Sequence, residues 1–329
     1  MYKLLIENSR KILLSCHTPF SFTLLVICKN MDGNFKNNKI LRFKLQMKEI
    51  PIRTIKEPDF LGSFTISDLG DLLTEKDMVE RLHRHNFFFV LAIEKGTGKH
   101  SIDFTAYPVT DYSVFVIRPG QVHELLLKQG SKGYLMAFDS SFYSPRDEPK
   151  NKVFRKVSRK NYYELNSGKF KKLLLILDYI FQEYSDKEDG HKEIIKANLD
   201  MLFIELARQS RDADSISKSN TPYAQERLEE LLGLLESHIC TNKQVVHYAE
   251  MLHLTPYQLN AITKNTLGKI CSQLINDQVV LEAKRNLLAT SNQVNEIAYH
   301  LGYEDTSYFI RFFKKHAGFS PETFRQNFK

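Results

Sequence analysis

The spacing of apolar side chains divides this chain into a strand-rich part and a helical part. From Met47 to about residue 140 the apolar runs are short and broken by turn residues. Phe87-Phe88-Phe89-Val90-Leu91-Ala92-Ile93 predicts a buried strand, closed by a turn at Glu94-Lys95-Gly96-Thr97-Gly98. His100 to Phe104 alternates and predicts the returning strand. Tyr112 to Ile117 predicts another, stopped by Pro119-Gly120, and Leu125–Leu127 and Tyr134–Phe138 continue the series. Short strands at such spacing predict a small barrel or double-sheet sandwich. Beyond about residue 160 the period changes. Leu173, Leu174, Leu177, Ile180 and Phe181 predict a helix near 168–185, and Ile194, Ile195, Leu199, Leu202, Phe203 and Leu206 predict one near 191–209. Arg211 to Thr221 is polar and aperiodic, and Pro222 follows. This predicts a linker over 211–222 between one domain at 47–210 and another at 223–329.

The second domain contains an internal repeat. Val245, Tyr248, Ala249 and Leu252 fall at i, i+3, i+4 and i+7, and Val294, Ile297, Ala298 and Leu301 repeat the pattern. In the helix that follows each set, Leu259 matches Phe309, Ile262 matches Phe312, Lys264 matches Lys314 and Gly268 matches Gly318. Each unit therefore reads as a short helix, a tight turn and a second helix ended by glycine, a favoured residue just past a helix. Ala249 and Ala298 are small where two helices must cross closely, as in a helix-turn-helix. Apolar periodicity alone would fit a plain helical bundle; the repetition favours two helix-turn-helix motifs. Leu274 to Ala289 predicts a helix joining them. About 20 helical residues span ~30 Å, close to the ~34 Å between successive major-groove faces of B-DNA.

Residues 223–329 resemble the DNA-binding domain of AraC/XylS-type transcriptional regulators. The carriers are Glu296-Ile297-Ala298-Tyr299-His300-Leu301-Gly302-Tyr303, Asp305-Thr306-Ser307-Tyr308-Phe309-Ile310-Arg311-Phe312-Phe313-Lys314-Lys315 and Gly318-Phe319-Ser320-Pro321. The first unit departs at Ala261, where the family often has Arg, and at Thr263, where it usually has Phe. The resemblance implies a sequence-specific regulator with double-stranded DNA as partner, and RNA polymerase as a second partner if it activates. Asp305, Thr306, Ser307, Tyr308 and Arg311 form the early polar face of the second recognition helix, and arginine can grip guanine bidentately. Lys314 and Lys315 lie further along, where phosphate contact is natural. Tyr257, Gln258, Asn260 and Lys264 are the corresponding candidates in the first unit. Phe309, Phe312, Phe313 and Phe319 are expected in the core.

Charge adds less than it first suggests. The net charge is +7, but residues 1–46 hold eight basic and two acidic side chains, so six of the seven units lie there. Residues 223–329 are balanced at 11 basic and 11 acidic. Residues 1–46 are expected to be an extension outside the fold, with upstream sequence translated from an early start codon as one source; the alternatives are a membrane anchor or signal, or an ordered extra element. The apolar run Ile12–Cys28 is interrupted by His17, Pro19, Ser21 and Thr23, and is marginal as a membrane span. The four cysteines, at 16, 28, 240 and 271, form no CxxC pair, which argues against a disulfide framework and for a reducing, cytoplasmic setting.

His83-Arg84-His85, then Pro119-Gly120-Gln121-Val122-His123, resemble a cupin barrel, in which an HxH pair, a Glu and a distant His can hold a metal. Phe87 to Val90 occupy the place of the required Glu, so neither a metal nor another cofactor is expected. His83, His85 and His123 are expected as strand-end residues near a barrel mouth, or as the lining of an effector pocket. AraC-type regulators often carry such a domain for sensing a small molecule or for forming a homodimer. The resulting expectation is a multidomain regulator, not an enzyme: a cupin-like barrel with flanking helices, then an all-α domain with two helix-turn-helix motifs. The alternative is a metal-dependent cupin enzyme fused to a helical domain.

Overall fold

The computed structural model describes residues 3–7, 10–18, 21–28, 40–45, 52–53, 63–145, 147–214 and 222–328, and side chains for 63–145, 147–209 and 223–328. Strands β1 (Lys3–Glu7), β2 (Arg10–Thr18), β3 (Ser21–Cys28) and β4 (Ile40–Leu45) form an antiparallel meander in a sheet of their own. The apolar run Ile12–Cys28 thus belongs to the neighbouring strands β2 and β3. The side chains of 1–46 lie outside the described residues, and so does any test of their origin.

Two five-stranded sheets build the first domain. One has the order β10-β9-β12-β7-β5, the other β14-β11-β8-β13-β6. The strands are β5 (Ile52–Arg53), β6 (Phe64–Asp68), β7 (Met78–His85), β8 (Phe88–Lys95), β9 (Gly98–Ile102), β10 (Thr105–Val109), β11 (Ser113–Ile117), β12 (Val122–Leu127), β13 (Lys132–Phe138) and β14 (Tyr162–Glu164). All pairings are antiparallel except β5 with β7. Pro108, which cannot donate to a ladder, sits on the edge strand β10.

The period of two assigns each face. On β8, Phe89, Leu91 and Ile93 point into the core between the sheets with Phe115, Ile117, Leu125 and Leu127. Val90 and Ala92 point the other way, into a core shared with helices. A central strand covered on both faces is apolar at successive positions, which is why the run 87–93 does not alternate. Three helices cover that second face: α2 (Glu148–Arg159), α3 (Ser167–Asp186) and α4 (His191–Asp214). A short helix α1 (Leu69–Leu72) follows β6. The expected helices near 168–185 and 191–209 are α3 and α4; α4 runs through Asp214, past the start expected for the linker. Residues 215–221 lie outside the described residues.

The second domain is helical: α5 (Pro222–His238), α6 (Val245–Met251), α7 (Pro256–Leu267), α8 (Cys271–Ala289), α9 (Val294–His300), α10 (Thr306–Ala317) and α11 (Pro321–Asn327). It contains two cores. Leu231, Leu235, Tyr248, Ala249, Leu259 and Ile275 form the first. Ala283, Leu287, Ile297, Ala298, Leu301, Phe309 and Phe313 form the second. Helix α8 belongs to both, giving Val279 to the first and Val280 to the second. The repeat read in the sequence is therefore two units on one connecting helix.

Candidate functional site

The second helix of each unit is held by local chemistry visible in the sequence. Thr255 caps α7 in a capping box with Gln258, and Pro256 supplies the first turn. Asp305 caps α10 by accepting from the Ser307 backbone N–H at 2.7 Å. Gly268 and Gly318 end the two helices in the left-handed region, at φ 69° and 83°. With their apolar faces fixed in the two cores, the helices present polar faces outward. Tyr257, Gln258 and Lys264 are exposed on α7, and Ser307, Tyr308, Arg311, Lys314 and Lys315 on α10. Tyr308, Arg311 and Lys315 share one stripe, three and four residues apart. Tyr257, 84% exposed, begins a stripe on α7 with Ala261 and Lys264, the counterparts of Ser307, Arg311 and Lys314 in the repeat.

Three of the expected contact residues also have structural partners. The Asn260 carboxamide oxygen accepts from the Cys271 backbone N–H at 2.9 Å, so it helps to start α8. Gln258 accepts from the Thr255 backbone N–H at 2.9 Å. Asp305 is a helix cap, and Thr306 is only partly exposed. Phe309 and Phe313 are core as expected and Phe312 is half-buried, but Phe319 is 48% exposed because it lies in the turn after α10.

In the barrel, inward positions of three adjacent strands bring four imidazoles together. His83 and His85 share the inner face of β7, and His123 on β12 lies opposite His83. His100 on β9 completes the group. All four are buried; His85 is the last residue of β7 and His123 the second of β12, and the rings lie between the sheets rather than in solvent. The His83 and His123 ring centres are 4.2 Å apart, and those of His85 and His123 4.9 Å. His83 Nδ1 donates to the Arg81 carbonyl and His85 Nδ1 to the Phe87 carbonyl, each at 2.8 Å. His100 Nε2 lies 3.0 Å from His123 Nδ1. Burial, reinforced by His83 and His85, lowers the His100 pKa to about 3, so its ring is neutral at physiological pH. Among the described residues, no set of three or more His, Cys, Asp and Glu side chains is placed to hold a metal ion.

The comparisons with known proteins follow the same division. A model described as a helix-turn-helix domain matches residues 248–327, and one described as an AraC-like ligand binding domain matches residues 74–143. The HTH-type transcriptional activator RhaR of Yersinia pseudotuberculosis serotype O:3 (strain YPIII) is 21% identical over 253 residues, covering 75% of this chain and 84% of the relative. Both parts of the chain thus match parts of AraC-type transcriptional regulators. The uncharacterized HTH-type regulator YfiF of Bacillus subtilis (strain 168) is also 21% identical, over 256 residues, covering 75% of this chain and 79% of the relative. Among solved structures, the C-terminal domain of the response regulator yesN from Fusobacterium nucleatum subsp. nucleatum is 27% identical at a TM-score of 0.29, covering 30% of this chain and 98% of that one. The unsaturated fatty acid-bound ToxT of Vibrio cholerae strain SCE256 is 16% identical at a TM-score of 0.37, covering 80% and 95%.

In this chain the acidic side chains of α5 face the barrel domain. Lys152 pairs with Glu226 at 2.5 Å, and both Arg118 and Arg159 approach Glu236. Arg159 also donates to the Glu229 backbone carbonyl at 2.8 Å. A second contact joins the β9–β10 turn to α8, where Arg285 donates to Asp103 at 2.9 and 2.5 Å. Burial disfavours the Arg285 charge, but Asp103 and Glu282 together more than offset it, and the pKa is raised. Sequence reasoning missed His100, Asp103, Arg118 and Arg285. His100 alone carried a usable signal, since it lies two positions from Ile102 on an alternating strand. The others meet partners more than a hundred residues away in the chain, which no periodicity records.

Proposed function

We propose that this regulator reads its operator through α7 and α10. Arg311 and Tyr308 address base edges, with Ser307, Thr306 and Tyr257 as neighbours. Lys264, Lys314 and Lys315 hold phosphates, while Gln258, Asn260 and Asp305 contribute as much by fixing their helices as by touching DNA. The observation that carries this reading is the separation of charge. The carboxylates of α5 are engaged by Lys152, Arg118 and Arg159, whereas Arg311, Lys314 and Lys315 stand exposed on one helix. A domain of balanced charge can thus present a basic face. The barrel is the sensing domain. Its buried imidazoles, able to donate and accept, suit a small polar effector. The protein acts in the cytoplasm, as a homodimer when two sites must be bridged, and engages RNA polymerase if it activates; it does no chemistry. No helix of the described residues is long and apolar enough to cross a membrane.

The test is a pair of substitutions measured on an operator selected from random DNA. Arg311→Ala should weaken specific binding by about 1–3 kcal/mol and relax the base preference at its position. Lys315→Ala should weaken binding evenly across sequences and reduce the salt dependence. Unchanged operator affinity in Arg311→Ala overturns the assignment. Effector sensing is overturned by equal operator affinity and equal transcription across a metabolite panel.

A further inference from the structure

The barrel domain holds the two helix-turn-helix units at two separate places. One grip is ionic: α2 and Arg118 hold α5, which packs in the first core. The other is the tip of the β9–β10 hairpin, which meets the second unit. There Asp103 accepts from Nε and Nη2 of Arg285 on the second half of α8, and the two side chains are only 10% and 11% exposed. Phe104 packs against the second core, with ring centres 5.7 Å from Phe324 and 5.9 Å from Phe328, and Lys284 lies 5.7 Å over its ring. Leu82, facing out from β7, joins the same core.

The tip is built at a conformational cost. Asp103 and Phe104 are the two residues of the hairpin loop, and both have positive φ, 46° and 69°. Such turns favour Asn-Gly, and a bulky aromatic residue there is uncommon. Strained positions persist where their surroundings over-determine them. Asp103 is so held: it accepts from Gln121 Nε2 at 2.6 Å and from the Val122 backbone N–H at 3.3 Å, on the strand that carries His123.

We propose that the barrel domain is a brace between the two units, and that Asp103 and Phe104 are positioning residues that set which separation of the two DNA half-elements is accepted. Helix α8 connects the units, and Cys240 and Lys243 of the first also meet Gly302 and Tyr303 of the second, with Tyr303 and Phe312 packed against both cores; a further tie from α5 to α8 and α11 through the double sheet limits how far the units can shift about this joint. The inference rests on α7 and α10 being the reading helices.

The experiment uses the full chain. An operator is first selected from random DNA with the unaltered protein. Affinity is then measured on that site and on versions with one base pair added or removed between the half-elements. The unaltered chain should lose about tenfold in affinity or more at the wrong spacing, the scale of a mismatched base pair. Phe104→Gly deletes the contact while suiting the turn, so the barrel should fold. Arg285→Met cuts the same tie from the other side. Both variants should bind the selected site and show a spacing penalty reduced to about threefold or less. A penalty unchanged in both variants overturns the brace and leaves the reading of α7 and α10 intact. Failure of the unaltered protein to enrich any site overturns both.

Discussion

Acid should weaken the barrel through one side chain, His100. Its ring is buried beside Phe115, whose centre is 4.8 Å away, and its pKa falls from 6.5 to about 3. Between those values the unfolded chain binds a proton that the folded chain does not. Stability from this group is therefore complete above pH ~6.5 and falls as the pH drops towards ~3. Each pH unit in that window costs about 1.4 kcal/mol, so at pH ~5 the loss is about 2 kcal/mol, a large part of a domain's total. The perturbation is His100→Gln, which keeps a polar group near His123 but cannot titrate. Urea unfolding followed by circular dichroism, repeated from neutral pH downward, gives the difference in stability between the two proteins at each pH. The unaltered chain should lose stability relative to the variant by the amounts above. Parallel curves at all pH values would refute the argument, because every other titrating group is common to both proteins.

Gly302→Ala should destabilise the helical domain by about 2 kcal/mol or more, because φ is +74° and an added Cβ would stand 2.2 Å from the Cys240 carbonyl oxygen; thermal unfolding reads it, and a transition within a degree of the parent would contradict it. Asn260→Ala should cost about 1 kcal/mol by removing the acceptor for the Cys271 N–H, with helix content otherwise kept; no change in stability would make the side chain free for DNA alone.

Local pattern made much of this molecule legible before its coordinates. The two units were visible because each must bury one face of two short helices, which fixes apolar residues at i, i+3, i+4 and i+7. Capping added the ends, through Thr255-Pro256, Gly268, Gly318 and Ser320-Pro321. Helix α2 escaped because its buried residues are few, chiefly Phe154 and Val157, among many charges. Those charges are its function in the fold, since Lys152 and Arg159 reach α5. The histidine group was half legible. His83 and His85 are adjacent on one face, but their meeting with His100 depends on the strand order β9-β12-β7, which spacing does not reveal. The alternation of His100 to Phe104 places Asp103 in a strand, whereas it lies in the turn after Ile102 with φ 46°. Nothing in the pattern of the linking helix marks its partner, Arg285.

Both stripes proposed to read DNA remain open while the two domains are docked, since Tyr257, Tyr308, Arg311 and Lys315 are all exposed in this arrangement. Encounter with DNA therefore requires no prior separation of the domains. The rate of association is then governed by diffusion and electrostatic steering, whatever the state of the barrel. On the proposed reading, what is left for the barrel to alter is the lifetime of the bound complex, so its influence is expected in the dissociation rate rather than in the speed of finding a site.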